Sequence, residues 1–263
     1  MPNSTHDPYA MSSPNNPHTS DARGTRINKY VARAGVCSRR DADDLVEQGR
    51  VTIDGQQAEH GMRVHKGQRV EVDGSVISPE KFEYRLLNKP KNTISTTDDE
   101  KDRRTVLDLV GAGDSNNRGL FPVGRLDRNT VGALLITNDG DLAHRLMHPR
   151  FEVTKLYFVR TRERIKPHQI DQLRRGVELD DGPAAADDVT YLDPSVQNEL
   201  LIKLHEGRNR QIRRMMERLG HDISVLERTN YAGLTTDGLR RGQWRRLRSG
   251  EVNMLRKRVN FES

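Results

Sequence analysis

Apolar and polar residues are spaced differently in successive parts of the chain. Residues 1–23 are rich in Pro, Asn, Ser and Thr and hold no apolar run, so we expect a disordered tail and not a secretory signal. Residues 24–74 show two helical patterns followed by strand patterns, whereas residues 84–255 alternate longer apolar runs with helical patterns. We therefore predict a small domain at 24–74, a linker at 75–83, a larger domain at 84–255 and a basic tail at 256–263.

The small domain is predicted to contain two helices and a small sheet. Ile27, Val31 and Ala34 fall on one helical face, and Ser38 with Asp41 forms a capping-box signature that starts a second helix. Two strands, each followed by an Asp-Gly turn, complete the pattern: Val51–Ile53 and Arg69–Val72. About fifty residues are too few for much besides binding, so we expect a binding module.

The pattern of the larger domain predicts an α+β fold. Strand patterns cover Tyr84–Leu87, Ala133–Ile136, Val153–Val159, Val189–Leu192 and Leu200–Leu204. Helical patterns cover Leu142–Met147, Pro167–Arg175 and Arg210–Leu219. Because the two kinds of pattern alternate irregularly, we expect a mixed, mainly antiparallel sheet with flanking helices rather than a regular parallel one.

Charge and composition narrow the class of partner. Lys and Arg outnumber Asp and Glu by 44 to 38, for a net charge of +6, and no long apolar stretch suits a membrane. Nucleic acid is therefore the expected partner. The single cysteine, Cys37, excludes an intrachain disulfide and suits a reducing cytoplasm. We expect a cytoplasmic monomer.

Basic residues of the small domain lie at helix starts and in turns. A planar guanidinium group donates two hydrogen bonds to one phosphate, so the set favours a nucleic-acid backbone. For any single arginine, an ordinary solvated charge is the better interpretation. A helix pair with a hairpin also describes a winged helix-turn-helix that reads DNA, so the pattern leaves RNA and DNA open. The set is Arg26, Lys29, Arg33, Arg39, Arg40 and Arg50.

The segment with the sharpest chemical pattern runs from Gly124 to Gly140. It places Asp127 in a polar loop between Gly124 and Gly132, directly before the apolar run Ala133–Ile136. A loop tip on a rigid strand is where a catalytic carboxylate can meet a substrate. Spacing alone leaves a helix cap or turn residue as the commoner explanation.

Other positions also carry candidate chemistry. Arg213 lies at the border of the apolar stripe of the predicted helix Arg210–Leu219, so it is either a partner for a catalytic carboxylate or an ordinary salt bridge. Tyr157 is either a core aromatic or a stacking partner for an extruded base. His144 and His148 have the spacing of metal ligands, but no third ligand is evident, so we predict no metal site.

Two motif sets resemble known families. Residues 26–55 resemble the S4 RNA-binding domain, through Arg26-Ile-Asn-Lys-Tyr-Val-Ala-Arg-Ala-Gly35, Ser38-Arg-Arg40, Gly49-Arg-Val51 and Asp54-Gly55. The larger domain is similar to bacterial ribosomal pseudouridine synthases that carry an S4 domain. The matching motifs are Gly124-Arg-Leu-Asp127, Thr137-Asn-Asp-Gly140, His148-Pro149, Lys155-Leu-Tyr157 and Gly207-Arg-Asn-Arg-Gln-Ile-Arg213.

This resemblance implies a reaction and the residues that perform it. It makes Asp127 the catalytic carboxylate, Arg213 its ion-pair partner and Tyr157 the residue that packs against the target uracil. The glycosidic bond breaks, the uracil turns, and its C5 joins the ribose C1′, without a metal or cofactor. Asp127 either attacks C1′ or removes the proton at C2′, and the sequence leaves both open. Arg125, Arg208 and Arg210, which lie within these motifs, are predicted to contact RNA.

The implied substrate is ribosomal RNA. The family includes type A, which acts on RNA of the small ribosomal subunit, and types B, E and F, which act on RNA of the large one. Two segments, 175–182 and 206–214, are more similar to the second group, type B above all. Large-subunit RNA, free or in an assembling particle, is therefore expected.

A non-catalytic S4-type RNA-binding or ribosome-assembly protein is the alternative. The joint presence of Asp127, Tyr157 and Arg213 favours the enzyme, because decay has no reason to spare all three. Departures from the family pattern remove no reactive group: Asn92 replaces a frequent glycine, Val131 a polar residue and Ala133 a leucine.

Overall fold

The computed structural model describes residues 24–97, 99, 101, 103–111 and 119–261. The predicted N-terminal tail and the last two residues of the predicted C-terminal tail lie outside these described residues. The described chain folds as α+β, with a small N-terminal sheet and a large mixed sheet, which confirms the predicted fold class.

The small domain packs two helices on a four-stranded antiparallel sheet. The helices are α1 (Ile27–Arg33) and α2 (Arg39–Glu47). The strands are β1 (Thr25–Arg26), β2 (Val51–Ile53), β3 (Gln56–Gln57), β4 (Arg63–Val64), β5 (Val70–Val72) and β6 (Ser75–Ile77). The sheet order is β3-β2-β5-β6, and β1 pairs with β4 beside it.

Local signals in the sequence account for these elements. The Ser38 hydroxyl accepts from the Asp41 N–H while the Asp41 carboxylate accepts from the Ser38 N–H, the capping box that starts α2. Asp54 and Asp73 have positive φ before their glycines, as a tight hairpin turn requires. The linker, however, starts later than predicted, because residues 75–77 pair with β5 instead of leaving the sheet.

The small domain contacts the larger domain through an ion pair, and it contacts the linker through Arg33. The Lys29 ammonium donates to the Asp141 carboxylate at 2.7 Å. The Arg33 guanidinium lies 4.6 Å from the centroid of the Phe82 ring, and the Arg33 carbonyl accepts from the Glu80 N–H at 3.0 Å. Asp141, in the first of these contacts, lies in the first turn of the helix that follows the central strand of the larger domain.

The larger domain is built on a nine-stranded sheet. Seven strands run in the order β13-β14-β10-β15-β9-β7-β17, and all neighbours are antiparallel except β15 and β9, which are parallel. Strands β8 and β16 pair outside this path, and β11 with β12 forms a separate hairpin. The strands are β7 (Tyr84–Lys89), β8 (Phe121–Pro122), β9 (Val131–Thr137), β10 (Lys155–Thr161), β11 (Val177–Leu179), β12 (Gly182–Ala184), β13 (Asp188–Tyr191), β14 (Glu199–Leu204), β15 (Ile223–Tyr231), β16 (Leu234–Thr235) and β17 (Trp244–Arg246).

Helices cover both faces of this sheet. They are α3 (Val106–Leu109), α4 (Gly140–Met147), α5 (Pro167–Arg175), α6 (Gln211–Arg218) and α7 (Ser249–Arg258), with a 3-10 turn at Pro149–Phe151. One apolar core lies under α5 and α6 and another under α4 and α7. Helix α7 occupies the start of the segment predicted as a basic tail, because Leu255 and Val259 are buried in the second core. No described helix has the length and apolar character that spanning a membrane requires.

Strand β9 is the centre of the larger domain. All seven of its residues are buried, since alternate side chains enter cores on opposite faces of the sheet. Gly132 meets Arg228 of β15 in the parallel pair, and a Cβ at Gly132 would lie 2.3 Å from the Arg228 carbonyl oxygen. Only glycine therefore allows β15 to approach at this rung.

Candidate active site

Asp127 lies in the loop between β8 and β9, directly before the most buried strand of the chain. The Thr130 N–H donates to the Asp127 carbonyl at 3.0 Å and closes a tight turn. The carboxylate itself is one-third exposed. The turn thus fixes the backbone of Asp127 while leaving its side chain open to a ligand.

Two buried side chains, Ser95 and Lys89, anchor this loop by hydrogen bonds to its backbone. The Ser95 hydroxyl donates to the Leu126 carbonyl at 3.0 Å and accepts from the Leu126 N–H at 3.2 Å. The Lys89 ammonium donates to the carbonyls of Asp127, at 3.0 Å, and of Thr130, also at 3.0 Å. It also donates to the carbonyls of Arg128 and Pro90, both at 3.2 Å. The loop is therefore anchored through its backbone and not through the Asp127 carboxylate.

Lys89 is completely buried, which is unusual for a lysine. Burial lowers its pKa to about 8, with the positive charge of Arg228 adding to the effect and the charge of Asp127 opposing it. Little in the sequence indicates this role. A lysine that ends an apolar strand is typical of an exposed terminus, and its carbonyl partners in the loop lie about forty positions along the chain.

Arg213 approaches Asp127 from helix α6. Its Nε lies 3.5 Å from Asp127 Oδ2, and the Arg213 side chain is 16% exposed. The helix starts after Arg210, which has a left-handed backbone, and its apolar face enters the core under α6 through Ile212, Met215 and Met216. This pairing was predicted, and at 3.5 Å it is an ion pair that orients the carboxylate by charge attraction.

A second lysine holds the loop that leads into α6. The Lys155 ammonium donates to the carbonyls of His205 and Glu206 and also lies close to Gly207. Burial and the nearby charge of Arg228 lower the pKa of Lys155 to about 8. The completely buried Lys89 and the partly buried Lys155 therefore position the two segments that carry Asp127 and Arg213.

Tyr157 lies between these two segments. It is half-buried on β10, where it packs against the core that contains Leu126 and against the core under α6. Across the ladder it faces Arg228, whose Nε donates to the Ala133 carbonyl at 2.7 Å. The predicted Tyr157 is thus at the junction of the Asp127 loop and helix α6, and part of its ring remains exposed.

The predicted RNA-binding residues separate into two groups. Arg26, Arg40 and Arg125 are exposed and have no carboxylate partner among the described residues, and Arg39 has only a 3.4 Å contact with Asn28. The others engage acidic side chains: Lys29 with Asp141, Arg50 with Asp73, Arg208 with Glu206 and Asp181, and Arg210 with Glu217 at 3.6 Å.

Neighbouring arginines of α6 also take internal partners. Arg214 makes two 2.9 Å contacts with Asp181, and the exposed Arg218 pairs with Asp180, so both side chains brace the β11–β12 hairpin. The described residues include no group of three His, Cys, Asp or Glu close enough together to hold a metal ion.

Comparisons with known proteins match each of the two domains to a family. The model of the RNA pseudouridylate synthase family matches residues 83–218, and the S4 domain model matches residues 25–70. The ribosomal large subunit pseudouridine synthase B of Bacillus subtilis is 39% identical, over 88% of this chain and 95% of its own. The protein of the same name from Yersinia pestis is 39% identical, over 91% and 77%. A solved pseudouridylate synthase structure superposes with a TM-score of 0.63 at 25% identity, over 88% of this chain and 100% of its own.

Proposed function

The chain belongs to the RNA pseudouridine synthase family, and we propose that it isomerises one uridine of large-subunit ribosomal RNA to pseudouridine. Support for the substrate comes from the relatives in Bacillus subtilis and Yersinia pestis, whose names refer to the large ribosomal subunit; both align over most of this chain. Support for the site comes from Asp127, a partly exposed carboxylate on a braced loop beside Arg213. A cytoplasmic location and action as a monomer stay predictions.

The proposed reaction replaces one bond to the ribose C1′ by another and transfers one proton. The C1′–N1 bond breaks and a C1′–C5 bond forms, while C5 loses a proton and N1 gains one. Asp127 either attacks C1′ or removes the C2′ proton, and both routes need an ionised carboxylate next to a base that has left its stack. Tyr157 offers a half-buried ring against which the detached uracil can turn without entering bulk water.

Mapping of pseudouridine in ribosomal RNA tests the proposal. Cells that lack the protein should lose modification at one uridine of the large-subunit RNA, and reintroducing the wild-type chain should restore it. Purified protein should also modify that uridine in a transcript. An unchanged map in a strain with no redundant synthase would instead support the non-catalytic RNA-binding alternative.

Arg213→Gln should slow turnover strongly. The substitution removes the charge that orients Asp127, a contribution of the kind that costs about 100- to 1,000-fold in rate when a preorganised charged donor is lost. RNA affinity should stay within about threefold, because Arg213 is largely buried. Arg218→Gln is the matched control: it removes an exposed arginine from the same helix that pairs with Asp180, away from Asp127. Single-turnover rates of the two variants measure the difference, and equal rates would remove Arg213 from the mechanism.

Substitution of the free arginines of the small domain should change the salt dependence of RNA binding. The double variant Arg39→Gln/Arg40→Gln should weaken binding and lower the slope of log affinity against log salt by about 1 to 2. Arg50→Gln should change the slope less, because Asp73 already holds that guanidinium at 2.6 to 2.8 Å. Filter binding between low and moderate salt provides the measurement. If the Arg50 variant changes the slope as much as the double variant, the ion pair with Asp73 opens on RNA.

A further inference from the structure

A surface beside the Asp127 loop combines aromatic and cationic side chains that the reaction does not use. Helix α4 ends at Met147, which is 46% exposed. A Cβ placed on Gly124, three residues before Asp127, would lie 4.0 Å from the Met147 side chain. The residues that follow Met147, His148 to Phe151, therefore continue a surface that begins at the edge of the candidate active site.

The ring of His148 is held in place by the backbone. His148 ends α4 and caps the 3-10 turn that follows, and its Nδ1 accepts from the Arg150 N–H at 3.2 Å. The Phe151 ring meets it edge-on at 6.2 Å, and the His144 ring lies at 5.5 Å. His148 is nevertheless exposed, so an imidazole face is presented to solvent with its orientation already fixed.

Arg150 supplies a cation on the same segment as this ring. The Arg150 guanidinium lies 4.5 Å from the centroid of the Phe151 ring and has no carboxylate partner among the described residues. Arg125, next to Gly124 in the chain, is exposed and also has no carboxylate partner among them. The acidic side chains of α4 are already engaged, Asp141 with Lys29 and Asp139 with Arg256 at 3.7 Å. Glu152 is the acidic residue that remains exposed on this segment, and it has a left-handed backbone. The balance of unpaired positive and negative side chains on this surface therefore favours an anionic ligand.

We infer that Met147, His148 and Arg150 form a stacking subsite for one unpaired base that flanks the target uridine in the RNA strand. This inference rests on the proposed function. A single-stranded nucleotide needs a flat ring for its base and a cation for its phosphate, and this surface supplies both. Its position next to Gly124 places the stacked base beside the uridine at Asp127. The His148 ring then gives this flanking base a stacking partner in place of the extruded uridine.

Two substitutions at His148 separate stacking from capping. Asparagine is a good helix-cap residue and keeps an acceptor for the Arg150 N–H, but it has no ring. Tryptophan keeps a ring and loses that acceptor. We expect His148→Asn to weaken RNA binding about tenfold and His148→Trp to bind within about threefold of the wild type, because tryptophan keeps a ring on which the base can stack. The probe is a hairpin RNA that contains the mapped uridine.

Abasic nucleotides identify the base. The hairpin is prepared with one abasic site at each position on either side of the uridine, and affinity is measured for the wild type, His148→Asn and the control His168→Asn, an exposed histidine on α5. One flanking position should abolish the difference between the wild type and His148→Asn, while every other position preserves it. The control should match the wild type throughout.

Each outcome has a distinct meaning. If wild-type protein modifies the hairpin but His148→Asn binds normally, or if its defect persists with every abasic RNA, the stacking subsite is wrong and the proposed function stands. If His148→Trp fails as His148→Asn does, the ring acts through the fold and not through a base. If wild-type protein modifies neither this hairpin nor whole ribosomal RNA, the proposed function fails first and the subsite falls with it.

Discussion

Asp127→Asn should abolish pseudouridine formation and leave RNA binding intact. The amide has the shape of the carboxylate, but it carries no charge and is a far weaker nucleophile or base. The bonds that anchor the loop reach its backbone: Ser95 bonds to Leu126, while Lys89 and Thr130 bond to the Asp127 carbonyl. The loop should therefore keep its conformation, and the single-turnover rate should fall by at least about 10⁴-fold, the scale that loss of an essential catalytic group produces.

Binding and folding controls complete this test. The affinity of Asp127→Asn for the RNA should match that of the wild type within about threefold, since loss of one negative charge next to a polyanion does not weaken association. Asp171→Asn, at an exposed position of α5, is the matched carboxylate control and should react normally. Residual activity above about one per cent would show that Asp127 is not the essential group.

Lys89→Met should also slow the reaction strongly, although Lys89 is sealed beneath the loop and out of reach of solvent. Methionine fills a similar volume but leaves the carbonyls of Arg128 and Thr130 without the Lys89 donor, at a cost of about 1–3 kcal/mol for each unsatisfied group. The Asp127 carbonyl keeps only its bond from the Thr130 N–H. The Asp127 loop should lose its fixed geometry, so the rate constant at saturating RNA should fall about 100-fold while RNA affinity changes little. A fall in affinity equal to the fall in rate would argue against a positioning role.

The pH dependence of stability gives Lys89 an independent signature. Its pKa is about 8 in the folded chain, below the ordinary value of 10.5, so burying the ammonium costs stability below pH 8. Between pH 8 and 10.5 the unfolded chain binds the extra proton, and this cost disappears as pH rises. The free energy of unfolding of the wild type should therefore gain up to about 3 kcal/mol relative to Lys89→Met across that window. Chemical denaturation at a series of pH values checks the sign, and a constant difference would contradict it.

Local signals predicted much of the fold. The Ser38 capping box and the two Asp-Gly turns set the small domain, and Pro167 with Gly176 bounds α5 as predicted. Each signal acts within a few residues, so no knowledge of distant partners is needed. Strand β15 was missed because Glu227 and Arg228 interrupt its apolar pattern, and its place in the sheet depends on Gly132, far earlier in the chain.

The residues of the candidate site also fall into a group that the sequence predicted and a group that it did not. Asp127 and Arg213 lie in motifs that resemble those of the family, so the sequence alone predicted both residues. Lys89, Lys155 and Ser95 were not predicted to support the site, because each acts by donating to backbone carbonyls. Any residue has a carbonyl, so a sequence carries no mark of which one a buried donor will meet.

The ion pair between Lys29 and Asp141 connects the small domain to the larger one. It joins the first helix of the small domain to the helix that follows β9, and β9 carries the Asp127 loop at its other end. If RNA docks on the small domain as predicted, we expect this contact to help set its distance from Asp127. We therefore expect the choice of uridine to depend on its distance from the docked part of the RNA fold.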